Sequence, residues 1–390
     1  MTREDVDILF SEPVRRAIED NLSGDPLRVA LDSRIPHASL VATQVKYLQR
    51  ARTKLPSYYA ACCVIPPLAF EQSSSELTAS HKGYSGSLCV DMTCGLGVDS
   101  LAFSGRFREV ITIERDPALA YLAQRNFGLL GAQNIRVVNM AAEDFIASNP
   151  TLKADLIYAD PDRRSDSGRK LVRLEECAPD VTEMLPRLRG MTGRIAVKLS
   201  PLFDVDEAFR VFGDGTRVEV VSLDGECKEV IAETGPDVSG HTIAATVIGF
   251  GTVEYSRDEP HTPAVVPSPE GFRFLVIPDV ALAKARIAAQ YFTDAGFSIE
   301  SDISYAFGNA LPGKIPGRAY IITAAYPYSP KKLKKVLKEA GISRADILKH
   351  DFPLPAEDIA RQLGIAQGGA EKIAFTRGGG ALWAIFIEET

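Results

Sequence analysis

Hydrophobic residues along the chain change their spacing several times, and these changes divide it into segments of different secondary structure. In the first 70 residues, Val14–Leu22 and Val41–Gln49 have apolar positions at helical spacing. From residue 87 to residue 256, short apolar runs typical of strands alternate with helical patterns. This alternation predicts a mainly parallel sheet with right-handed crossovers and helices on both faces.

Seven strands are predicted in this central part of the sequence. They are Leu88–Met92, Val110–Glu114, Ile135–Met140, Asp155–Asp160, Arg194–Leu199, Arg217–Leu223 and Thr242–Val253. The helices predicted between them are Asp99–Phe103, Pro117–Leu130, Ala142–Ala147, Leu174–Leu188 and Val205–Phe212. The last two strands have no long helix between them, which is typical of an antiparallel strand added at a sheet edge.

A proline-rich segment, Ser256–Pro269, follows the central part. Its four prolines predict a domain boundary, because they cannot continue a helix or a central strand. Beyond it the spacing predicts strands at Arg273–Ile277, Pro316–Ala325, Lys372–Thr376 and Leu382–Ile387, and helices at Ala281–Phe292, Pro330–Ala340 and Glu357–Leu363. We therefore expect four parts: a helical N-terminal domain (1–83), an α/β domain (84–256), a small α+β segment (270–315) and a C-terminal domain (316–390).

Composition narrows the classes of function. The chain of 390 residues has a formal net charge of −7, which argues against a uniformly basic nucleic-acid binder but allows local basic patches. Its six cysteines form no pair of C-x-x-C motifs, so we expect reduced thiols and no metal site. The sequence has neither a signal segment nor an apolar run of membrane length, which predicts a cytoplasmic protein without a membrane partner.

The candidate chemistry begins where the first central strand ends. Asp91 ends this strand, Gly95 and Gly97 follow it, and a helical pattern starts at Val98. A glycine turn between a strand and a helix is typical of nucleotide-binding domains, because backbone N–H groups can approach a ligand where a Cβ would collide with it. The spacing D-x-x-x-G-x-G differs from the G-x-G-x-x-G of a pyrophosphate site. A carboxylate at the strand end suits a cationic ligand such as S-adenosylmethionine.

The residues that end the next strands are expected to face the same crevice. Glu114 ends the second strand 23 residues beyond Asp91 (114 − 91) and could accept hydrogen bonds from both hydroxyls of a ribose. After the third strand, Met140 and Ala141 could pack against an adenine, and Asp144 could accept a hydrogen bond from its amino group.

The end of the fourth strand is the expected place for the reacting end of the ligand. The sequence there is Asp160-Pro161, and the proline fixes the backbone where the chain leaves the sheet. Lys198 ends the fifth strand among apolar residues, and a buried lysine must be paired or must titrate. Asp160 is the partner that we expect for it.

Four of these segments, Asp91–Gly97, Glu114, Asn139–Phe145 and Asp160-Pro161, resemble successive motifs of class I S-adenosylmethionine-dependent methyltransferases. Further segments are similar to a bacterial family that joins a helical N-terminus and a methyltransferase domain to a C-terminal THUMP-like domain. These are Lys54–Pro56, Glu71–Glu76, Gly95–Ser100, Asp160–Arg164, Lys198–Pro201, Glu226–Glu229, Asp351–Pro353 and Gly368-Gly369.

The resemblance implies an α/β fold: a Rossmann-like, seven-stranded methyltransferase domain with a helical N-terminal region. It also implies a C-terminal α+β region, ferredoxin-like over 270–315 and THUMP-like over 316–390. The implied cofactor is S-adenosylmethionine, and the implied partner is RNA, because THUMP domains accompany RNA-modifying enzymes. The implied cofactor contacts are Gln72, Ser75, Asp91, Thr93, Gly95, Gly97, Asp99, Glu114, Met140, Ala141, Asp144 and Asp160.

The substrate loop departs from the pattern of methylases that act on exocyclic amines. Those enzymes often have Asp/Asn-Pro-Pro-Tyr after the fourth strand, whereas Asp160-Pro161 here precedes Asp162, Arg163 and Arg164. Either arginine could stack on a base or hold a phosphate, or both could be structural and pair with nearby acids. The residues expected in catalysis are Asp160, Pro161, Arg163 and Lys198.

Two further groups of charged residues are candidates for substrate binding. Glu226–Glu229 is expected in a loop after the sixth strand, with Lys228 paired to Glu226 or Glu229. Between Arg318 and Lys349, eight basic residues against two acidic ones give a local charge of 8 − 2 = +6. The lysines that share one helical face there, and could attract phosphate or simply be solvated, are Lys331, Lys334, Lys335 and Lys338.

We interpret the chain as an S-adenosylmethionine-dependent methyltransferase that modifies a base nitrogen of rRNA or tRNA. One alternative is a methyltransferase of proteins or small molecules, which the acidic net charge allows. The other is an RNA-binding protein whose methylase domain is degenerate. The oligomeric state is left open.

Overall fold

The computed structural model describes residues 1–162, 174–259 and 268–390, and the chain forms two compact units. Unit 1 consists of Met1–Arg217 and Val230–Gly240, and unit 2 of Val218–Glu229 and His241–Thr390. The boundary therefore falls within a strand, Glu226–Thr234, that contributes residues to both units. The four domain boundaries expected from the sequence remain predictions.

Unit 1 begins with seven helices over residues 1–85: α1 (Arg3–Leu9), α2 (Glu12–Asp20), α3 (Pro26–Leu31), α4 (Ala38–Lys54), α5 (Pro56–Ala60), α6 (Pro67–Gln72) and α7 (Glu76–His81). Side chains cap the starts of α1, α3 and α7; at α1 the Thr2 hydroxyl accepts from the N–H of Asp5 while the Asp5 carboxylate accepts from the N–H of Thr2. The central helix α4 buries Val41, Val45 and Leu48.

These helices share one hydrophobic core with the α/β part of unit 1. The core includes Tyr58 on α5 together with Leu96, Val98 and Leu122 from the segments that follow the first two strands. The Tyr58 hydroxyl, which is fully buried, donates to the carbonyl of Leu96 at 3.0 Å. The helical region therefore packs directly against the glycine turn.

The sheet of unit 1 has the strand order β3-β2-β1-β4-β5-β7. Its strands are β1 (Gly86–Asp91), β2 (Phe107–Glu114), β3 (Ile135–Asn139), β4 (Leu156–Ala159), β5 (Ile195–Leu199) and the Val230–Thr234 part of β7 (Glu226–Thr234). The helices between them are α8 (Val98–Ser104), α9 (Pro117–Leu129), α10 (Ala142–Ser148), α11 (Val181–Leu188) and α12 (Val205–Phe212). The first five strands are parallel, so their carboxyl ends share one edge, and β7 runs antiparallel to β5.

The prediction of a loop at Glu226–Glu229 is wrong, because these residues begin strand β7, which the sequence pattern does not predict. Strand β6 (Thr216–Leu223) is followed by Asp224 and Gly225, which have positive φ angles of 54° and 75°. Such a two-residue turn joins antiparallel strands directly, and the following residues change from exposed to buried at Glu229. The single predicted strand Thr242–Val253 is instead two strands, β8 (His241–Val247) and β9 (Gly251–Ser256).

Unit 2 contains the Val218–Leu223 part of β6 with β8 and β9 as neighbours, and a second sheet of order β11-β10-β12-β15-β14-β13. The strands of this sheet are β10 (Phe274–Pro278), β11 (Ala306–Gly308), β12 (Gly317–Pro327), β13 (Arg344–Lys349), β14 (Ala366–Gly378) and β15 (Ala381–Glu389). The helices are α13 (Val280–Ala285), α14 (Ala288–Asp294), α15 (Pro330–Glu339) and α16 (Ala356–Leu363). Residues 270–315 and 316–390 thus contribute strands to one sheet. The predicted helix Ala281–Phe292 is interrupted by Arg286, whose φ is +59°.

The glycine turn provides a first test, because Gly97 is required for two separate reasons. It has a φ of +89°, and a Cβ at this position would lie 2.4 Å from Cζ of Phe127 on α9. Gly95 has a φ of +54° with no atom within 4 Å of a Cβ. We therefore expect Gly97→Ala to lower the free energy of unfolding by about 3 kcal/mol and Gly95→Ala by about 1 kcal/mol, measured by urea denaturation.

The clash and the backbone strain can be separated with a second substitution. Phe127→Leu in the Gly97→Ala protein should recover part of the loss, because it removes the ring that the new Cβ would meet. Equal losses for Gly95→Ala and Gly97→Ala would contradict the contact with Phe127.

Candidate functional site

The carboxylate of Asp91 holds the segment that follows β1. It is fully buried, and it accepts hydrogen bonds from the N–H of Thr93 at 3.0 Å and the hydroxyl of Thr112 at 3.3 Å. The hydroxyl of Ser100 on α8 donates to the same carboxylate. Burial raises the pKa of Asp91 to about 6, although these donors act in the opposite direction. Its predicted contact with a cationic ligand remains a prediction.

Glu114 lies beside the glycine turn at the end of β2. One carboxylate oxygen accepts from the N–H of Gly95 at 2.9 Å, and the other accepts from the N–H of Asp116 at 2.9 Å. Burial raises the pKa of Glu114. Glu114 and the glycine turn, both predicted to contact one ligand, are thus in direct contact with each other. The space where a Cβ of residue 95 would lie is open.

The end of β3 adds an apolar surface next to Glu114. Asn139 donates through its side-chain amide to the carbonyls of Glu114 and Arg115 at 2.8 Å and 3.2 Å, which ties the ends of β2 and β3 together. Met140 follows with 38% of its surface exposed. Ala141 caps α10, and Asp144 is exposed in its first turn.

A network of charged groups lies at the ends of β4 and β5. Lys198 forms the expected ion pair with Asp160, whose backbone N–H donates to the hydroxyl of Thr93 at 2.7 Å. The ammonium of Lys198 also donates to the hydroxyl of Ser74 at 3.1 Å. Pro161 is buried directly after the pair. The geometry therefore brings the two predicted catalytic residues Asp160 and Lys198 together.

The network continues from Ser74 to a second ion pair. The hydroxyl of Ser74 donates to one oxygen of Asp99 at 2.8 Å, and Lys82 donates to the other at 2.7 Å. The hydroxyl of Tyr158 also donates to Asp99, at 3.2 Å. Burial alone would raise the pKa of Asp99, but the charges of Lys82 and Lys198 outweigh it and lower the pKa to about 2. Two cations and two anions therefore balance one another in a mostly buried cluster.

Ser74 and Lys82 are not among the residues that the sequence predicts for the site. The residues predicted near Ser74 are Gln72, which is exposed, and Ser75, whose hydroxyl accepts from the N–H of Thr78 at the start of α7. In a run of three serines, the sequence pattern does not distinguish Ser74 from its neighbours. Its contact partners Asp99 and Lys198 are 25 and 124 residues away in the sequence.

The remaining predicted residues are dispersed. Arg163 and Arg164 lie outside the described residues. Lys228 pairs with Glu226 at 2.6 Å in unit 2.

Helix α15 presents the predicted basic face. Lys331, Lys334, Lys335 and Lys338 are exposed, whereas Leu333 and Leu337 on the other side are buried. Lys335 is 3.7 Å from Glu339, which is an exposed pair of small energetic weight. Within the described ranges, no cluster of histidine, cysteine and carboxylate residues could hold a metal ion, and no helix is long and apolar enough to cross a membrane.

The buried ion pair makes stability depend on pH in a defined direction. Lys82→Met leaves Asp99 without its nearest cation, so we expect a loss of about 3 kcal/mol in the free energy of unfolding at pH 7. In the wild type Asp99 stays ionised down to about pH 2. In the variant it takes up a proton at higher pH in the folded state, so the deficit should shrink as the pH falls from 7 to 4.

Lys46→Met, at an exposed position on α4, is the control and should change stability by less than about 0.5 kcal/mol at every pH. Urea denaturation at several pH values measures both variants. A deficit for Lys82→Met that is constant with pH would contradict the pairing with Asp99.

Comparisons with known proteins agree with this architecture. The THUMP domain-like family model matches residues 317–389. A candidate methyltransferase from Porphyromonas gingivalis W83 has a similar solved structure, with a TM-score of 0.79, 25% sequence identity and 97% of each chain covered. A SAM-dependent methyltransferase from Agrobacterium tumefaciens also aligns, with a TM-score of 0.31, 15% identity, and 41% of this chain and 59% of that chain covered. The match over residues 317–389 and the similarity to the Porphyromonas gingivalis structure show that the chain combines a methyltransferase fold with a C-terminal THUMP-like domain.

Proposed function

We propose that this protein is an S-adenosylmethionine-dependent methyltransferase that modifies a base nitrogen of rRNA or tRNA. The observation that carries the proposal is the contact between the N–H of Gly95 and the carboxylate of Glu114 at 2.9 Å. It places an acceptor-only group beside an open glycine turn at the carboxyl edge of a parallel sheet, where open α/β sheets bind their ligands.

The residues at this edge fit the adenosine part of such a cofactor. Gly95 has open space where a Cβ would be, so a ligand can approach its backbone. Glu114 would accept from ribose hydroxyls, and the exposed part of Met140 would pack against the adenine. The cofactor, when bound, supplies an electrophilic methyl group on a sulfonium.

The chain's own residues would align the substrate. Asp160 is 27% exposed, and its ion pair with Lys198 fixes the orientation of its carboxylate. A carboxylate held in this way can accept a hydrogen bond from the N–H of a target base and keep the nitrogen in line for attack. A base within a stem would first have to be turned out of the stack.

RNA is favoured as the substrate by unit 2. The THUMP-like match at residues 317–389 includes α15, whose exposed lysines would attract the phosphate backbone without reading the base sequence. Because the whole chain has a net charge of −7, the basic face of α15 does not simply reflect a basic composition. Mass spectrometry of nucleosides from rRNA and tRNA of a deletion strain would identify the missing methyl mark. A methyl mark missing only from protein or small molecules would contradict the RNA assignment.

The cofactor assignment has a direct test in ligand binding. Glu114→Ala should weaken the binding of S-adenosylhomocysteine at least about tenfold, because removing hydrogen bonds from a charged acceptor costs 1.5 kcal/mol or more. Glu109→Ala, at an exposed position on the same strand, should bind as the wild type does. Isothermal titration calorimetry measures both, and equal affinities would contradict the role of Glu114.

The docking role of α15 has a test in salt dependence. Replacing its four lysines by glutamate should lower tRNA affinity at least about 100-fold and reduce the slope of log affinity against log salt by 2 to 4, since each phosphate contact contributes about one unit or slightly less. The four replaced residues are Lys331, Lys334, Lys335 and Lys338.

A control of equal charge change separates docking from net charge. It replaces four exposed arginines of unit 1 by glutamate: Arg16, Arg28, Arg52 and Arg108. Filter binding over a range of salt concentrations should show a much smaller effect for this control. Equal losses in the two proteins would count against a specific role for α15.

A further inference from the structure

We infer that Ser74, in the loop between α6 and α7, is a positioning residue that directs the charge of Lys198 to Asp160. The inference rests on the proposed function and extends the reacting part of the site to the N-terminal helical region. Ser74 is 8% exposed, and it is the neutral link between the pairs Lys82–Asp99 and Lys198–Asp160.

The hydrogen bonds of Ser74 have a fixed direction. Its hydroxyl has one proton, which it donates to Asp99, so its oxygen is left to accept from the ammonium of Lys198. Asp99 already has its own cation in Lys82, at 2.7 Å. Ser74 therefore occupies the position between Lys198 and Asp99, and the positive charge of Lys198 is directed toward Asp160.

Loss of the hydroxyl would change this division of charge. With alanine at position 74, one oxygen of Asp99 would lose a donor, and Lys198 would lose an acceptor and face two carboxylates. A lysine ammonium is a flexible point charge that moves to the nearest strong anion. The Asp160 carboxylate, which has to hold a fixed direction toward the substrate, would then be less well fixed.

A double-mutant cycle tests the linkage without any ligand. Among the described residues, no hydrogen bond joins Ser74 directly to Asp160. Without coupling through Lys198, the effects of Ser74→Ala and Asp160→Asn on the unfolding equilibrium constant would simply multiply. We expect the double variant to differ from this product by at least fivefold, measured by urea denaturation. Ser73→Ala is the matched control, because the Ser73 hydroxyl donates only to the carbonyl of Phe70 within the described part of the chain. Its cycle with Asp160→Asn should be multiplicative within twofold.

Kinetics test the positioning role on the full protein. Ser74→Ala should lower kcat at least tenfold, while the KM for RNA and the affinity for S-adenosylhomocysteine stay within twofold of the wild-type values. Ser74→Thr keeps the hydroxyl and should therefore retain most of the wild-type kcat. A multiplicative cycle for Ser74 and Asp160, or a kcat for Ser74→Ala equal to that of Ser73→Ala, would overturn the inference. A wild-type protein that binds no S-adenosylhomocysteine would instead overturn the proposed function, and that result is obtained without any Ser74 variant.

Discussion

Burial of one carboxylate, that of Asp91, fixes the geometry on which the rest of the site depends. Its hydrogen bonds come from the turn, from α8 and from β2, so a single group sets the positions of three segments. A buried charge is tolerated only when such donors surround it, and the raised pKa of Asp91 reflects the remaining cost. Because Asp91 holds the turn against β2, the N–H of Gly95 lies within reach of Glu114.

Much of this geometry follows from the sequence, because the carboxyl ends of parallel strands must meet at one edge. The order of strands predicts Asp91, Glu114, Asp160 and Lys198 at this edge. The cost of burying an ammonium predicts the Lys198–Asp160 pair, which the structure confirms. Ser74 had no such signal, since its importance arises from neighbours distant in sequence. Strand β7 was missed for a different reason: its charged first residues hid the apolar ones that follow the Asp-Gly turn.

The chain uses charge in two opposite ways. In unit 1, the pairs Lys82–Asp99 and Lys198–Asp160 are mostly buried, so each charge orients its neighbour and little field extends into solvent. On α15 the lysines are exposed, and the pair with Glu339 is loose, so the charge is available to a polyanion. Salt should therefore weaken the proposed binding of RNA by unit 2 far more than it disturbs the buried ion pairs of unit 1.

The two faces of helix α15 have different roles: one packs in the core of unit 2, and the other presents lysines to solvent. Leu333 and Leu337 anchor it in the core of unit 2, and the lysines between them have no part in that core. Substitutions on the outer face can therefore change the charge that the helix presents, and with it the proposed nucleic-acid binding, while folding is left intact. Such a helix allows natural variation to adjust the attraction of the protein for a polyanion gradually, one charge at a time.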